Sequence, residues 1–138
     1  MTTERNFPDA VQELYIWLVG HGFTVASDRR GGMGGVLLTL TGQIGLGPAA
    51  WIEISGDRGQ WSIRLRFDGM SRSIATQSWA AYLDSVGISE PDVQRQAAFV
   101  ENRLSDAALA YMANPTVESD LVRIGEEYMR NKYPKLFP

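Results

Sequence analysis

The sequence contains few side chains whose type and spacing would support catalysis. His21 is the only histidine and the chain has no cysteine, so a transition-metal site or a Ser-His-Asp triad lacks the side chains that it requires. His21 also lies between two glycines at a predicted helix end, where an imidazole can bind the last carbonyl oxygens. Acidic pairs such as Glu126 and Glu127 fall on predicted helices at spacings typical of solvated faces. We therefore expect no catalytic centre, no metal and no cofactor.

A glycine-rich segment at residues 31–35 is the second candidate for chemistry, because a backbone without side chains can approach a phosphate closely. The segment contains no Gly-Lys-Ser/Thr, and it leads into a predicted strand instead of the N-terminus of a helix. Nucleotide binding is therefore disfavoured, and a flexible hairpin connection is the simpler interpretation. Arg29 and Arg30, which precede the glycines, could still bind an acidic partner.

The residues from Trp51 to Asp68 alternate apolar and polar side chains on both sides of a Gly-Asp-Arg-Gly break, which predicts a β-hairpin. Pairing Ser55 with Gln60 would place one set of side chains on a shared, buried face. This set comprises Ala50, Ile52, Ile54, Trp61, Ile63, Leu65 and Phe67. The opposite face carries Trp51, Glu53, Ser62, Arg64 and Arg66. A charged surface with one aromatic side chain is the best candidate for a functional face.

Trp51 has two structural interpretations and one functional interpretation. It could stack on the guanidinium of Arg64, or a helix could cover this side of the sheet. Alternatively, an exposed Trp flanked by charged side chains is typical of the residues that dominate protein interfaces. The pattern alone leaves these alternatives open. Trp61 and Trp79 are better explained as core residues. The candidate partner-binding residues are Trp51, Glu53, Arg64, Arg66, Arg29 and Arg30.

The other elements place this hairpin in an α+β fold. Apolar residues three and four apart predict a helix between Pro8 and Gly20, followed by strands at 23–26 and 35–41 before the hairpin. Residues 71–75 could add a fifth strand, and helices are predicted at 76–86, from 92 to 112, and from 116 onwards. Since strands do not alternate with helices, we expect an N-terminal helix, an antiparallel sheet of four to five strands, and three C-terminal helices packed on the sheet. We expect residues 1–138 to form a single domain.

Composition and charge narrow the class of protein. The formal net charge is −3, but residues 84–127 hold nine acidic side chains against three basic ones, which disfavours nucleic-acid binding. No apolar run approaches the roughly 18 residues that span a bilayer, and the N-terminus lacks a basic region followed by an apolar one. The absence of cysteine suits a reducing compartment. We expect a cytoplasmic protein that binds neither nucleic acid nor membrane.

Three motifs together resemble bacterial immunity proteins of polymorphic-toxin systems. They are Trp51-Ile52-Glu53-Ile54, then Gly59-Gln60-Trp61, and a later Ser78-Trp79 on a short helix. The resemblance covers mainly residues 36–86. It implies an inhibitor that binds a toxin domain in the same cytoplasm and blocks the active site of that domain. A protein of this type is not an enzyme, which agrees with the scarcity of catalytic side chains.

The leading hypothesis is therefore a non-enzymatic protein-binding module, an antitoxin of the immunity type. One alternative is a secretion-chaperone-like module, since such chaperones are also small, acidic α+β proteins. A second alternative is a small-ligand-binding domain or enzyme that uses His21 or buried carboxylates. The sequence does not decide between a monomer and a dimer. It also leaves open whether Leu136 and Phe137 pack on the domain or form a docking peptide.

Overall fold

The computed structural model describes residues 7–31, 35–89, 92–114 and 116–136. In chain order the elements are α1 (Asp9–Gly20), β1 (Thr24–Arg30), β2 (Val36–Gly42), β3 (Ala50–Asp57), β4 (Gln60–Phe67), β5 (Ile74–Ala75), α2 (Thr76–Asp84), α3 (Val93–Ala113) and α4 (Val117–Lys132). A short 3₁₀ turn follows at Pro134–Leu136. The strands form one antiparallel sheet in the order β1-β2-β3-β4-β5. The predicted α+β fold, with one helix before the sheet and three after it, is confirmed.

The central hairpin turns on two residues, Arg58 and Gly59, whose φ values are 54° and 81°. Positive φ at both central positions is the geometry of a type I′ turn, whose twist matches that of the flanking strands. Ser55 consequently pairs with Ser62 and not with Gln60, so the predicted register is wrong by two residues. Because side chains alternate with a period of two, this shift leaves every predicted residue on its predicted face.

The inward face of the sheet is buried under the helices. Its buried side chains are Leu38, Leu40, Ala50, Ile52, Ile54, Ile63, Leu65, Phe67 and Ile74. They form one core with Val11, Leu14 and Leu18 of α1, Trp79 of α2, and Val100 and Leu104 of α3. Burying each aliphatic side chain of this size stabilises the fold by roughly 1.5–3 kcal/mol before the entropy of ordering is subtracted. This core fixes which face of the sheet is left for other contacts.

Two tryptophans expected in the core differ in their burial. Trp79 is fully buried, and its indole Nε1 donates a hydrogen bond to the carbonyl of Leu65 at 3.3 Å. Trp61 is only half-buried and packs edge to face against Phe7, with 5.2 Å between ring centres. The core prediction is therefore confirmed for Trp79, whereas Trp61 lies at the margin of the core.

A side chain of α3 makes hydrogen bonds to β4 where no neighbouring strand pairs with it. Strand β5 has two residues and pairs only with Arg64 and Leu65, so β4 extends past it towards the hairpin turn. There, Gln96 accepts a hydrogen bond from the Ile63 N–H at 2.7 Å and donates one to the Trp61 carbonyl at 3.3 Å. Gln96 is 2% exposed. Its amide thus satisfies backbone groups that would otherwise be buried without partners.

Strand β1 is longer than predicted. It continues beyond residue 26 to Arg30, because residues 27–30 pair with residues 36–39 of β2. Arg29 and Arg30 therefore lie in a regular strand and not in a connecting loop. Gly32, Met33 and Gly34 lie outside the described residues, so the flexible connection predicted there stays a prediction.

Helix α4 packs on α2 beside the β5 edge of the sheet. Its first turn is bound to the segment after β4, since Glu118 accepts hydrogen bonds from the N–H and the hydroxyl of Ser71 and lies 3.7 Å from Arg72. Burial acts to raise the pKa of Glu118, but the Ser71 hydrogen bonds and the Arg72 charge outweigh it, so this pKa is lowered. These contacts fix the position of α4 relative to the sheet.

The C-terminal turn leaves Leu136 72% exposed. Phe137 and Pro138 lie outside the described residues, so the alternatives of a packed tail and a docking peptide stay open. Among the helices that the structure describes, none combines the length and the apolar character needed to cross a membrane.

Candidate functional site

The outward face of the sheet is the candidate site, and its side chains form three rows that cross the strands. Asp57 and Gln60 form a pair on this face next to the hairpin turn. Beyond that pair, the first row contains Arg29, Leu37, Ser55 and Ser62; the middle row contains Ser27, Thr39, Glu53, Arg64 and Ala75; the third contains Thr24, Thr41, Trp51 and Arg66. On β3 and β4 these outward side chains are partly exposed, whereas the inward side chains between them are buried. The outward face is therefore accessible to a partner.

Trp51 stacks with Arg66 and not with Arg64. The two residues are directly opposite each other on β3 and β4, and the guanidinium carbon lies 4.2 Å from the centre of the indole ring. The predicted partner is wrong because the type I′ turn shifts the register by two residues. Arg66 also donates a hydrogen bond to the carbonyl of Met70 at 3.4 Å. These contacts restrict the rotamers of both side chains and thereby present the indole in a defined orientation.

Arg64 lies directly opposite Glu53, but its guanidinium is bound by the segment that leads to β5. Nη2 donates to the carbonyl of Ser73 at 2.9 Å, and Nε donates to the Ser73 hydroxyl at 3.4 Å. A guanidinium carries five N–H donors, so these bonds fix the head group without using its full capacity. Arg64 is thus a positioned cation in the middle row of the face.

Arg29 and Arg30 lie on opposite faces of the sheet. Arg29 belongs to the outward face, while Arg30 is opposite Val36 on the inward side, with its guanidinium 5.1 Å from the ring centre of Phe7. Arg30 binds both carboxylate oxygens of Asp28, at 2.6 Å and 3.0 Å. That hydrogen bonding, against a smaller opposing effect of burial, lowers the pKa of Asp28. The structure therefore brings five of the six predicted residues onto one face and separates Arg30 from them.

An open cleft of about 1400 Å³, which we call the sheet cleft, lies at the hairpin-turn end of the outward face. Its lining includes Arg29, Leu37 and Arg64 of the sheet, Arg58 of the turn, and Lys132 and Tyr133 at the end of α4. Among the described lining residues, four cations face a single carboxylate, Asp57. The sheet cleft is therefore positive, although the chain has a net charge of −3.

A smaller groove of about 410 Å³, which we call the helix groove, lies between α4 and the β5 edge. Its apolar lining consists mainly of Ile74, Ile88, Leu121, Val122 and Met129. Arg64 and Arg72 contribute the positive charges, and Glu126 contributes a negative one. Because Arg64 lines both the sheet cleft and the helix groove, the two cavities are neighbours.

His21 has a structural role at the end of α1. Its Nδ1 donates to the carbonyl of Trp17 at 2.8 Å, and its ring stacks on the Trp17 indole with centres 4.0 Å apart. The predicted capping role is confirmed. Across the described ranges, no three histidine or acidic side chains are grouped so that they could hold a metal ion.

Several lining residues were missed by the sequence interpretation. Lys132 and Tyr133 reach the sheet cleft only because α4 docks beside β5, which no local pattern indicates. Arg58 was predicted to lie in the four-residue break Gly-Asp-Arg-Gly, although it occupies a two-residue turn at the rim of the sheet cleft. Gln96, which lines neither cavity but binds the backbone of β4, could have been found, because it is a polar residue three positions after Val93 on the apolar stripe of α3.

No protein-family model matches the chain, and none of the curated proteins or solved structures with which it was compared matches it either. A function for this protein has therefore to be inferred from the outward face, the two cavities and the sequence motifs. The outward face is the strongest of these features, because it combines an ordered aromatic side chain with positioned charges.

Proposed function

We propose that the protein is a non-enzymatic protein-binding module whose interface is the outward face of the sheet, centred on Trp51. The observation that carries this proposal is the stack between Trp51 and Arg66 on a face that stays partly exposed. Trp and Arg are the side chains that most often dominate the energy of protein interfaces. A side chain that is already held in one rotamer also loses less entropy when a partner binds.

The charges of this surface support a partner that presents acidic side chains around an apolar centre. Arg29, Arg64 and Arg66 outnumber Glu53 and Asp57 on the outward face, and the sheet cleft adds the charges of Arg58 and Lys132. In a chain of net negative charge, a localised positive surface orients an acidic partner during encounter and raises the association rate.

The particular module that we propose is an immunity protein, which binds a toxin domain and blocks its active site. The resemblance over residues 36–86 supports this form of the proposal, because those residues include β2, β3 and β4, which build the outward face. An inhibitor of this kind requires a rigid, complementary surface and no chemistry of its own. Regular strands supported by a packed core meet that requirement.

The proposal is tested by affinity capture from a lysate of the native host with three tagged proteins: wild type, Trp51→Ala and Trp17→Ala. Trp17 is the matched control, since it is also a half-buried Trp but lies on α1 and contacts His21. We expect one protein to co-purify at comparable stoichiometry with wild type and with Trp17→Ala, and to be lost with Trp51→Ala. Equal retention by a folded Trp51→Ala variant would contradict the proposed interface.

The immunity form of the proposal needs a second experiment. The domain of the captured protein that binds this chain is expressed alone and then together with this chain. We expect the domain to arrest growth and co-expression of wild type, but not of Trp51→Ala, to restore it. A domain without toxicity would contradict the immunity form and leave the interface intact. Capture of several exported proteins by a dimer, shown by light scattering, would favour the chaperone alternative.

A further inference from the structure

Gly125 lies within α4 and lines the helix groove. A glycine inside a helix costs about 1 kcal/mol relative to alanine. Close packing does not require it, because a Cβ at this position would meet only the Ser78 hydroxyl at 3.7 Å, an ordinary van der Waals distance. Its φ is not positive either, so the backbone conformation does not require glycine. What the missing side chain provides is space, since a larger side chain here would extend into the helix groove.

The size and lining of the helix groove are those of a site for an apolar group. Its volume of about 410 Å³ falls within the range of roughly 300–1,000 Å³ found for small-molecule sites. Its walls are mainly aliphatic, and Met129 at its margin is 40% exposed. A methionine side chain is flexible and adapts to different apolar shapes.

The charges at the helix groove favour an anionic end on this apolar group. Arg64 and Arg72 lie on the sheet side and Glu126 on the α4 side. Glu118 lies 3.7 Å from Arg72 and offsets its charge. Arg64 is held by Ser73 through two of its five donors, and its planar head group matches a carboxylate. Arg64 is therefore the better placed cation for binding a carboxylate at the end of the groove.

We propose that the helix groove binds an apolar group that carries one carboxylate, with the apolar part against Gly125 and the carboxylate on Arg64. Aromatic and branched aliphatic carboxylates have this chemistry, either as free acids or as the C-terminal residue of a peptide. This binding goes beyond the proposed protein interface. The two sites share Arg64, but Trp51, the centre of the interface, does not line the helix groove, so binding in the groove does not require the interface.

The first test uses N-acetyl-L-tryptophan and its uncharged analogue N-acetyl-L-tryptophanamide as probes, followed by NMR of the ¹⁵N-labelled protein. We expect saturable shifts of the Gly125 and Ile74 amides with the acid, and at least about tenfold weaker binding of the amide, because a charge-assisted hydrogen bond is lost. Equal affinities for the two probes, or shifts confined to other residues, would overturn the proposal.

Two variants separate the apolar and the charged parts of the site. Gly125→Leu should fill the groove and abolish binding while raising the melting temperature, since leucine favours helix over glycine. Gly20→Leu is the matched control, because it is a helical glycine with no atom within 4 Å of its added Cβ, and it should bind as wild type. Arg64→Gln should weaken binding of the acid to the level of the amide without changing the affinity for the amide. Wild-type binding by Gly125→Leu would overturn the proposal.

Two further measurements define the source of the ligand and keep the proposals separate. N-acetyl-Gly-Gly-Trp tests the peptide source: tighter binding than N-acetyl-L-tryptophan supports a peptide C-terminus, and equal binding supports a free acid. Trp51→Ala should leave binding of both probes unchanged. If Trp51→Ala abolished binding of both probes, the assignment of ligand binding to Gly125 and Arg64 in the helix groove would be wrong, whether or not the variant still captured the protein partner.

Discussion

Trp51 on β3 lies directly opposite Arg66 on β4, and the guanidinium of Arg66 stacks on the indole 4.2 Å from its centre. This pair lies on the outward face, away from the core that the inward face forms with α1, α2 and α3. A cation over an indole at a partly exposed site contributes only about 0.5–1 kcal/mol. Binding and stability should therefore be separable at Trp51, as they would not be at a core tryptophan.

Trp51→Ala should lower the free energy of unfolding by about 1–2 kcal/mol, the sum of the cation–π contact with Arg66 and the cross-strand pair with Thr41 on β2. The same substitution at the fully buried Trp79 should cost about 3–5 kcal/mol. Affinity for the captured partner should fall by more than about tenfold with Trp51→Ala, as for an interface residue of this type. Urea denaturation and titration calorimetry measure the two effects. A loss of stability at Trp51 comparable to that at Trp79 would show that Trp51 is structural.

The faces of the sheet could be predicted from the sequence, but the pairing of its strands could not. Alternation in β3 and β4 assigns each residue to a face without reference to any partner strand. Register depends on the turn, and the Gly-Asp-Arg-Gly break does not show that Arg58 would take a positive φ, which is uncommon for a residue with a side chain. The predicted faces were nevertheless correct, because the error in the β3–β4 register was two residues, an even number.

Only the part of the candidate site that lies on the sheet was predicted from the sequence. Alternation placed Trp51, Glu53, Arg64 and Arg66 together, and the extension of β1 added Arg29. The same alternation separates Arg29 from Arg30, which a loop would not have done. The sheet cleft and the helix groove depend on how α4 docks, and this is a tertiary contact between segments far apart in sequence. Local patterns do not contain that information.

Gln96→Ala should destabilise the protein by about 1–3 kcal/mol, because the Ile63 N–H loses its acceptor in a buried position. Gln94→Ala is the matched control: Gln94 is exposed on the same helix, so its loss should change stability by less than about 0.5 kcal/mol. Amide hydrogen exchange offers a local measurement, since the Ile63 amide should exchange faster in Gln96→Ala alone. Unchanged protection of Ile63 would mean that Gln96 does not replace a strand there.

Gly56→Ala should destabilise the hairpin although the backbone of Gly56 is not strained. An added Cβ would lie 2.7 Å from the indole of Trp61, its cross-strand partner, so the indole, which packs on Phe7, must move. Overpacking of this kind costs about 1–3 kcal/mol. Gly20→Ala, which adds a Cβ with no atom within 4 Å, should be neutral or stabilising. Thermal unfolding compares the two, and equal melting temperatures would contradict the predicted clash.

Glu101 of α3 should make stability decrease as the pH rises. Burial first, and the charge of Glu13 second, raise the pKa of Glu101 above its ordinary value of 4.5. The native state therefore binds the proton more tightly than the unfolded chain does. The contribution of Glu101 to the free energy of unfolding should fall as the pH increases from the unfolded pKa through the raised native pKa, and should stay lower above it. Asp28 and Glu118, whose pKa values are lowered, contribute in the opposite direction, so the contribution of Glu101 is measured as the difference between wild type and Glu101→Gln.

Glu101→Gln removes the ionised form that burial disfavours. Glu101→Gln should raise the melting temperature at neutral pH. It should also reduce the loss of stability that occurs as the pH rises above the pKa of Glu101 in the unfolded chain. Glu127→Gln, at an exposed position, is the control. Glu13→Gln should move the pKa of Glu101 back towards its ordinary value without reaching it, because burial, the larger cause, remains. Carboxyl-carbon NMR titration of Glu101 in wild type, in Glu13→Gln and in the Glu127→Gln control measures this directly. A Glu101→Gln variant that is less stable than wild type at neutral pH would mean that the carboxylate makes a favourable contact, and the direction of the pKa shift would then be wrong.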